Sequence, residues 1–218
     1  MSFSRDLFPV FEYEAGGVRL RKTVACVHGE NTTIVFWELL EAERPFVLEL
    51  RPFVAFRDHH RLAQANETFD ASEATFEDGI FRARPYAGVP DLYLSVPGAE
   101  FEAAPTWYRR FEYAREIERG LDVHEDLFSH GVFRVDLGAV RGYGAIASTG
   151  SPAGRDAWMK DGFGIAWTDH TGLAMSSTMW KARRTAYVRA LLDMTSPCLR
   201  QMSQSVTPWS SAIFSATL

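Results

Sequence analysis

Short apolar runs separated by polar residues recur along most of the chain. Val18–Val27 alternates residue by residue, and one face of it would carry Val18, Leu20, Lys22, Val24 and Cys26. A two-residue period predicts a β-strand with one face on a core. Similar runs predict strands at Phe8–Tyr13, Thr32–Leu40, Phe46–Phe53, Asp91–Val96, Thr106–Tyr113, Gly131–Leu137 and Phe163–Trp167.

Turn signals connect several of these runs. Glu77-Asp78-Gly79 and Ala15-Gly16-Gly17 each stand between two strand-like segments and predict hairpins. Gly138–Gly154 is rich in Gly, Ala, Ser and Thr, which predicts a loop. Many short strands with little helix between them predict a mainly β protein, an antiparallel β-sandwich.

Helix is predicted in two places only. Trp180 to about Met194 has a helical apolar stripe formed by Trp180, Tyr187, Val188, Leu191 and Leu192. A shorter helical turn is predicted at Tyr113–Arg119, ended by Gly120. The fold class is therefore a β-sandwich with one C-terminal amphipathic helix.

Composition narrows the class of protein. The chain has 218 residues and 46% hydrophobic residues, enough for a full core. A net charge of −5 gives no electrostatic footprint for nucleic acid. Cys26 and Cys198 do not make a disulfide framework and predict reduced thiols. No leader opens the chain and no apolar run approaches the roughly 20 residues that span a bilayer, so we expect a soluble, cytoplasmic protein without a membrane partner.

Two segments concentrate charge beside aromatic residues. Trp107–Gly131 joins an aromatic strand to a dense acidic and basic stretch, and Arg51–Asn66 has the same character. A core strand would exclude such charges, and a surface helix would spread them around one face. The pattern predicts loops that form a polar site, or the rim of one.

These segments also resemble a known family. Leu48–Asn66, with LRPFVAFRDHHRL, and Trp107–Phe133, with WYxxFEYxxExxRGLDxxEDLFxxGxF, are similar to the N-terminal domain of the bacterial and archaeal type of glycogen debranching enzyme. Lys22–Leu40, with HGENTTIVFWELL, fits more loosely, and the resemblance runs from about Phe8 to Met194. It implies a large β-sandwich of the supersandwich kind, and a cytoplasmic role in glycogen catabolism.

The resemblance also implies that catalysis belongs to a different domain. Full-length relatives hydrolyse α-1,6 branch points of glycogen or maltodextrin, and their catalytic carboxylates belong to a following helical barrel. Since the chain stops before that barrel, no catalytic residue is assigned, no cofactor is expected, and we expect no hydrolysis by the chain alone. The implied partners are an α-glucan and the helical-barrel catalytic domain of the same enzyme.

The expected domain organisation follows from the same comparison. Residues 1–179 would form the sandwich, lacking its first strands because the family's glycine-rich opening is not found before Phe8. Residues 180–195 would form the linker helix toward the catalytic domain. Residues 196–218 are an atypical tail with Arg200 as their one charged residue, and no function is built on them.

Glycan binding is the favoured chemistry of the charged segments. Sugars stack their C–H faces on aromatic rings and exchange hydrogen bonds with planar charged groups. The predicted substrate-binding residues are Arg57, Asp58, His59, His60, Trp107, Tyr108, Glu125 and Asp126. The competing interpretation is structural: the aromatic rings would fill the core, and the carboxylates would pair in an exposed network with Arg109, Arg110, Arg115 and Arg119. The carboxylates of that network are Glu116, Glu118, Asp122, Glu125 and Asp126.

Two other functions remain open at this stage. The domain would be purely structural if its charged loops only form the docking face for the barrel. It would be a stand-alone metal-dependent enzyme if its histidines bind a metal ion, but His59 and His60 would point to opposite faces of a strand, and no ligand-type spacing is present. The prediction is therefore no metal.

Overall fold

The computed structural model describes residues 1–5, 8–27, 29–43, 45, 47–57, 61–137, 142–155, 157–159, 165–166 and 213–217. Within these ranges almost all regular structure is β-sheet, and every strand pair is antiparallel. The predicted mainly β, antiparallel class is confirmed.

A large sheet of eight strands forms one layer. Its spatial order is β1-β2-β3-β4-β11-β8-β7-β6. The strands are β1 (Ser2–Arg5), β2 (Pro9–Ala15), β3 (Val18–Cys26), β4 (Thr32–Ala42), β6 (Thr75–Glu77), β7 (Ile80–Ala83), β8 (Leu92–Ser95) and β11 (Gly142–Ser148).

A small sheet of four strands forms the other layer, in the order β14-β5-β10-β9. These strands are β5 (Val47–Phe53), β9 (Glu100–Glu112), β10 (His124–Asp136) and β14 (Ile213–Thr217). A helical turn, α1 (Ala114–Ile117), lies between β9 and β10, and β12 (Trp158–Met159) pairs with β13 (Ile165–Ala166).

The predicted turns are present. Asp78 and Gly79 join β6 to β7 with φ angles of 50° and 75°. Two successive positive φ angles belong to the hairpin turn whose twist matches its strands, and they explain the Asp-Gly pair. The helical turn predicted at Tyr113–Arg119 is present but shorter, Ala114–Ile117, and Gly120 follows it with φ 68°.

The core fills the space between the two sheets. Its fully buried side chains come from both layers: Leu20, Trp37, Phe81 and Leu94 from the large sheet, and Leu48, Leu50 and Phe133 from the small sheet. We call this cluster the main core. A second apolar cluster covers the outer face of the large sheet, formed by Ala25, Val27, Ile34, Ile146 and Ala157 with Phe8 packed against it.

The alternation in β3 is correct, but its consequence differs from the prediction. Leu20 and Val24 face the main core as expected. Thr23 and Ala25, on the opposite face, are buried as well, and Ala25 belongs to the second cluster. Cys26, predicted on the core face, is exposed at the end of the strand.

The predicted loop at Gly138–Gly154 is wrong over its middle part. Residues Gly142–Ser148 form β11, a central strand between β4 and β8. The small residues mark close packing instead of a turn: a Cβ on Gly144 would lie 2.0 Å from the carbonyl oxygen of Ala157. Glycine allows that backbone approach.

Strand β10 is longer than predicted. It begins at His124, seven residues before the predicted start at Gly131, so Glu125 and Asp126 lie in a strand and not in a loop. Both carboxylates are buried. Burial of charged groups within a strand requires partners in place, and these are described with the site below.

Two predictions concern the C-terminal part of the chain. The helix at Trp180–Met194 lies outside the described residues. In the atypical tail, the backbone of Ile213–Thr217 pairs with β5, so that Ile213 is opposite Phe53 and Thr217 opposite Glu49. Among the described residues no helix is long and apolar enough to cross a membrane.

His130 is a buried polar side chain within the main core. Its ring lies 4.9 Å from the ring centroid of Phe128, 5.2 Å from that of Phe81 and 5.9 Å from that of Phe69. Its Nε2 atom has no hydrogen-bond partner among the described residues. Burial lowers the pKa of His130 from its usual 6.5 to about 4, because the charged imidazolium is poorly solvated there.

This shift predicts acid sensitivity. Between pH 6.5 and 4 the unfolded chain binds a proton that the folded chain does not, so stability is complete above pH 6.5 and falls as the pH falls toward 4. Between pH 7 and pH 5 the free energy of unfolding, measured with urea, should fall by about 2 kcal/mol because of this histidine. His130→Leu should remove that part of the pH dependence, and an equal loss in both proteins would contradict the assignment.

Candidate functional site

The two charged segments meet at one end of the small sheet. Beyond β5, Val54 and Phe128 exchange backbone hydrogen bonds of 2.9 and 3.0 Å. Residues 61–66, here called the strap, then return along the start of β10. The amide of Asp126 donates to the carbonyl oxygen of Ala63 at 2.8 Å, and Gln64 Nε2 donates to the His124 carbonyl oxygen at 3.0 Å.

The Glu125 carboxylate holds this end together. Its side chain is 1% exposed. Oε1 accepts from Arg57 Nε and, at 2.9 Å, from the Ala63 amide. Oε2 accepts from Arg57 Nη2 at 3.2 Å and from the Tyr113 hydroxyl. One buried carboxylate thus joins the chain after β5, the strap, and the start of the β9–β10 connection.

The buried position of Tyr113 changes the acidity of its phenol. Burial, followed by the hydrogen bond to Glu125, raises the pKa of the Tyr113 phenol to about 12. The hydroxyl therefore remains a neutral donor to Glu125 throughout the physiological range. A phenol fixed in this way supports the carboxylate and is not available as an acid or base near neutral pH.

Asp126 fixes a β-bulge in the neighbouring strand. Between the pairs Phe111–Glu125 and Tyr108–Leu127, two residues of β9 stand opposite the single residue Asp126. One of the two, Arg110, has φ 62°. Its amide donates to Asp126 Oδ1 at 2.8 Å, while the Ala65 amide donates to Oδ2 at 3.0 Å. The carboxylate thus satisfies the backbone donor that the bulge leaves unpaired.

The same contacts keep Asp126 ionised. The hydrogen bond from the Ala65 amide, then that from the Arg110 amide and the positive charges of Arg109 and Arg110, hold the pKa of Asp126 below its usual range, against the effect of burial. A folded-state pKa that is lowered stabilises the fold above the ordinary carboxyl pKa, and the contribution is lost as the pH falls through the lowered value.

The two predicted stacking residues lie on opposite faces of β9. Trp107 packs toward the main core, with its ring 5.1 Å from Phe69 and 5.3 Å from Phe128. Tyr108 packs on the outer face against Phe53 at 4.8 Å, with the Arg51 guanidinium 5.6 Å from its ring centroid. Both rings are half-buried, and they do not form one platform.

Of the eight predicted site residues, the fold brings together Arg57, Glu125 and Asp126 at the strap. Trp107 and Tyr108 flank the same end from its two faces. Asp58, His59 and His60 lie outside the described residues, so their role stays a prediction. The backbone amides of Ala63 and Ala65 were missed because backbone donors leave no residue signal in a sequence, and the Tyr113 hydroxyl was missed because its contact with Glu125 depends on the fold.

The predicted exposed ion-pair network is found only in part. Arg119 and Glu116 pair at 3.0 Å on the surface of the α1 region, where the Arg119 side chain is 65% exposed. Glu125 instead pairs with Arg57, which is absent from the predicted network, and it does so in the interior. Arg57 lies 68 residues earlier in the chain, and only the tertiary fold brings the two together.

The described residues contain no group of three or more His, Cys, Asp or Glu side chains that could hold a metal ion. His124 lies at the surface with its Nε2 atom 3.6 Å from Glu112. His130 is within the main core.

The outward surface of this end is polar with two apolar side chains. The strap exposes Arg61, Gln64 and Asn66, and the bulge exposes Arg109 and Arg110. In the connection between β9 and β10, here called the tip (residues 113–123), Ile117 and Leu121 are each 52% exposed. Rigidly held polar groups beside exposed apolar ones suit recognition of a ligand or a second domain.

The sequence of this region matches a known protein family. A family model described as the glycogen debranching enzyme N-terminal domain matches residues 1–141. The chain belongs to this family. Searches of curated proteins and of solved structures gave no match.

The extent of the family match differs from the resemblance noted in the sequence. It begins at residue 1 instead of about Phe8 and ends at 141 instead of Met194. It covers β1 to β10, and with them the strap, the bulge and the tip. The candidate site of this glycogen debranching enzyme N-terminal domain therefore lies entirely within the family's own region.

The buried carboxylate yields a stability prediction. Glu125→Gln removes the charge that pairs with Arg57, whose side chain is 17% exposed, and should lower the free energy of unfolding by about 3 kcal/mol. The matched control is Glu116→Gln, which breaks the surface pair with Arg119 and should cost less than about 1 kcal/mol. Equal midpoints of urea unfolding for the two variants would rule out the proposed anchoring role.

Proposed function

We propose that this domain supports hydrolysis of α-1,6-glucosidic branch points in glycogen and maltodextrin without supplying catalytic residues. In this proposal it packs on a helical-barrel catalytic domain and lends its strap and tip to the bound glucan. The observation that carries the proposal is the strap itself, an irregular segment held against β10 by two buried carboxylates.

Such anchoring has a clear benefit for binding. A free loop that orders on contact with a ligand spends part of the binding energy on its lost conformational freedom. The strap is already fixed through Ala63 and Ala65, while Arg61, Gln64 and Asn66 face outward. Their guanidinium and amide groups can exchange hydrogen bonds with the vicinal hydroxyls of a sugar.

Within this proposal the predicted residues have different tasks. Glu125 and Asp126 are positioning residues, since their oxygens are occupied by Arg57, Tyr113 and backbone amides. Asp58, His59 and His60 are retained as sugar contacts because they stand between Arg57 and the strap in the chain. Tyr108 is retained as the stacking ring, on the outer face of β9.

A titration tests the glucan part of the proposal. Isothermal calorimetry of the purified chain with maltoheptaose should give saturable binding, which Arg61→Ala combined with Arg109→Ala weakens at least fivefold because Arg61 is exposed on the strap and Arg109 on the neighbouring bulge. The control is Arg19→Ala, an exposed arginine on β3, and its affinity should be unchanged.

Unchanged affinity in a folded double variant would contradict a role for the strap in binding. The same preparations should release no glucose from a branched limit dextrin. Glucose release by a chain free of host amylases would contradict the non-catalytic assignment.

A second candidate function is a purely structural docking domain with no affinity for glucan. The exposed Ile117 and Leu121 favour it, because both large apolar side chains stand in the same short tip. A partner that covers them would remove apolar surface from water.

Docking is tested with a separately expressed helical-barrel catalytic domain of a debranching enzyme. Ile117→Ser combined with Leu121→Ser should weaken association with the full chain at least tenfold in biolayer interferometry. Val47→Ser is the control, because Val47 is 49% exposed but lies on β5, away from the tip. An equal loss of association in the tip variant and in the Val47→Ser control would contradict docking through the tip.

A further inference from the structure

Most arginines whose side chains the structure describes have a carboxylate partner. A carboxylate oxygen lies within 3.5 Å of each of Arg19, Arg21, Arg57, Arg82, Arg84, Arg119, Arg134 and Arg155. Among the described residues, Arg51, Arg61, Arg109 and Arg110 form no such ion pair. The protein has more Asp and Glu than Lys and Arg, so a shortage of carboxylates does not explain the difference.

Three of these four arginines gather at the strap. Arg109 and Arg110 are the two bulge residues that stand opposite Asp126. Arg61 comes two residues before Ala63, whose carbonyl oxygen accepts from the Asp126 amide at 2.8 Å. Since two residues span at most about 7 Å of backbone, Arg61 begins close to the bulge. All three residues are exposed, and we call Arg61, Arg109 and Arg110 the basic rim.

The carboxylates nearest to the basic rim are occupied by other donors. Both oxygens of Asp126 accept from backbone amides, at 2.8 and 3.0 Å. The oxygens of Glu125 accept from Arg57 and from two further donors. Arg110 Nη2 lies 3.5 Å from His124 Nε2, which is an imidazole nitrogen and not a carboxylate. The basic rim thus presents positive charge that no described carboxylate neutralises by direct contact.

The charge of the basic rim favours an anionic partner. Guanidinium groups supply hydrogen-bond donors only, and close like charges repel one another. A neutral hydroxyl can accept from a guanidinium but leaves its charge in place. A carboxylate accepts two parallel hydrogen bonds from the same group and also neutralises it. The gain from an anionic partner is therefore larger than the gain from a neutral one.

The tip beside the basic rim indicates which kind of anion fits. The Tyr113 amide donates to the Val123 carbonyl oxygen at 2.9 Å, so the tip starts three residues after Arg110. Within it Ile117 and Leu121 are each 52% exposed. Apolar side chains with arginines beside them are typical of protein interfaces. A nucleic acid would leave the apolar side chains in water and would be repelled by the net charge of −5.

We propose that the basic rim docks onto an acidic face of a second protein domain, whose carboxylates pair with its guanidinium groups around the apolar contact of Ile117 and Leu121. This inference rests on the proposed function, because the domain that presents the carboxylates is the one on which this domain packs. It adds the chemistry of the docking face. It also gives the bulge a role, since Asp126 fixes the backbone that carries two of the three arginines.

The docking face and the glucan contact lie at the same end of the protein. The strap carries Arg61 of the basic rim together with the exposed amides of Gln64 and Asn66. When the basic rim is docked, the strap lies at the boundary between the two domains. Ligand sites occur preferentially at such boundaries, so a glucan there would contact both domains.

The first test measures the carboxylate chemistry directly. Binding of the full chain to fluorescein-labelled poly-L-glutamate is followed by fluorescence anisotropy at about 20 mM salt, where screening is weak. The rim variant, Arg61→Gln combined with Arg109→Gln and Arg110→Gln, should bind at least tenfold more weakly. If this triple variant fails to fold, Arg109→Gln alone, at an exposed residue, should still weaken binding measurably.

The matched control removes the same charge elsewhere. Arg19→Gln, Arg84→Gln and Arg155→Gln combined take away three partly exposed guanidinium groups that already have carboxylate partners. This control should change binding of poly-L-glutamate less than twofold. An equal loss in the control and in the rim variant would show an effect of net charge alone and would overturn the proposal.

The second test uses the separately expressed helical-barrel catalytic domain. Complementary charges at the edge of an interface act mainly on the association rate and are screened by salt. In biolayer interferometry the association rate of the wild-type chain should fall at least tenfold between about 20 and 300 mM salt. The rim variant should associate slowly at both concentrations. A rate that is independent of salt in the wild-type chain would contradict docking through the basic rim.

Other results would also overturn the proposal. They are a wild-type chain that does not bind poly-L-glutamate, and a folded rim variant that binds it as the wild type does. Binding of a DNA oligonucleotide of equal charge without binding of poly-L-glutamate would assign the basic rim to phosphate groups instead.

The inference and the proposed function fail separately. Arg110→Gln alone should weaken binding of poly-L-glutamate and leave the affinity for maltoheptaose unchanged. A chain that binds poly-L-glutamate through the basic rim, but neither maltoheptaose nor the catalytic domain, would refute the proposed function and leave an acidic partner standing. Saturable binding of maltoheptaose by a chain that does not bind poly-L-glutamate would refute the inference alone.

Discussion

The strap and the tip of this protein are held in place by the buried Glu125 carboxylate. It accepts hydrogen bonds from Arg57, the Ala63 amide and Tyr113, which belong to three separate stretches of chain. A carboxylate removed from water is tolerated only when its oxygens are satisfied in this way. Each of the three stretches is therefore fixed relative to β10, and the surface they present is set before any ligand arrives.

The unequal sheets are the second organising feature. Among the described residues, four strands face eight, and β1 and β2 contribute no buried residue to the main core. In most sandwiches the uncovered face is polar, and the reverse side of these same strands, with Arg21 between Glu12 and Glu38, follows that rule. On the opposite face of β1 and β2, the aromatic rings of Phe3 and Phe11 are in contact.

Sequence patterns predicted the strands well and the site only in outline. All eight predicted strands have a counterpart within the described residues, because alternation and turn residues are local properties. The loop predicted around Gly144 is instead a central strand, since small residues also serve close packing against Ala157. Glu125 and Asp126 were predicted as polar groups of a loop, whereas the structure buries both in β10. The burial of Glu125 depends on Arg57, 68 residues away in the chain, and that of Asp126 on the amides of Ala65 and Arg110.

The sequence by itself determined the fold class, the hairpin at Asp78-Gly79 and the family to which the chain belongs, because each depends on residues that are close together in the chain. Only the tertiary structure decided which face each aromatic ring occupies. A bulge at Arg110 and burial on both sides of β3 change what a side chain meets without changing the sequence pattern. Trp107 and Tyr108 are adjacent in the chain and separated by the sheet, whereas Phe3 and Phe11 are distant in the chain and touch across β1 and β2.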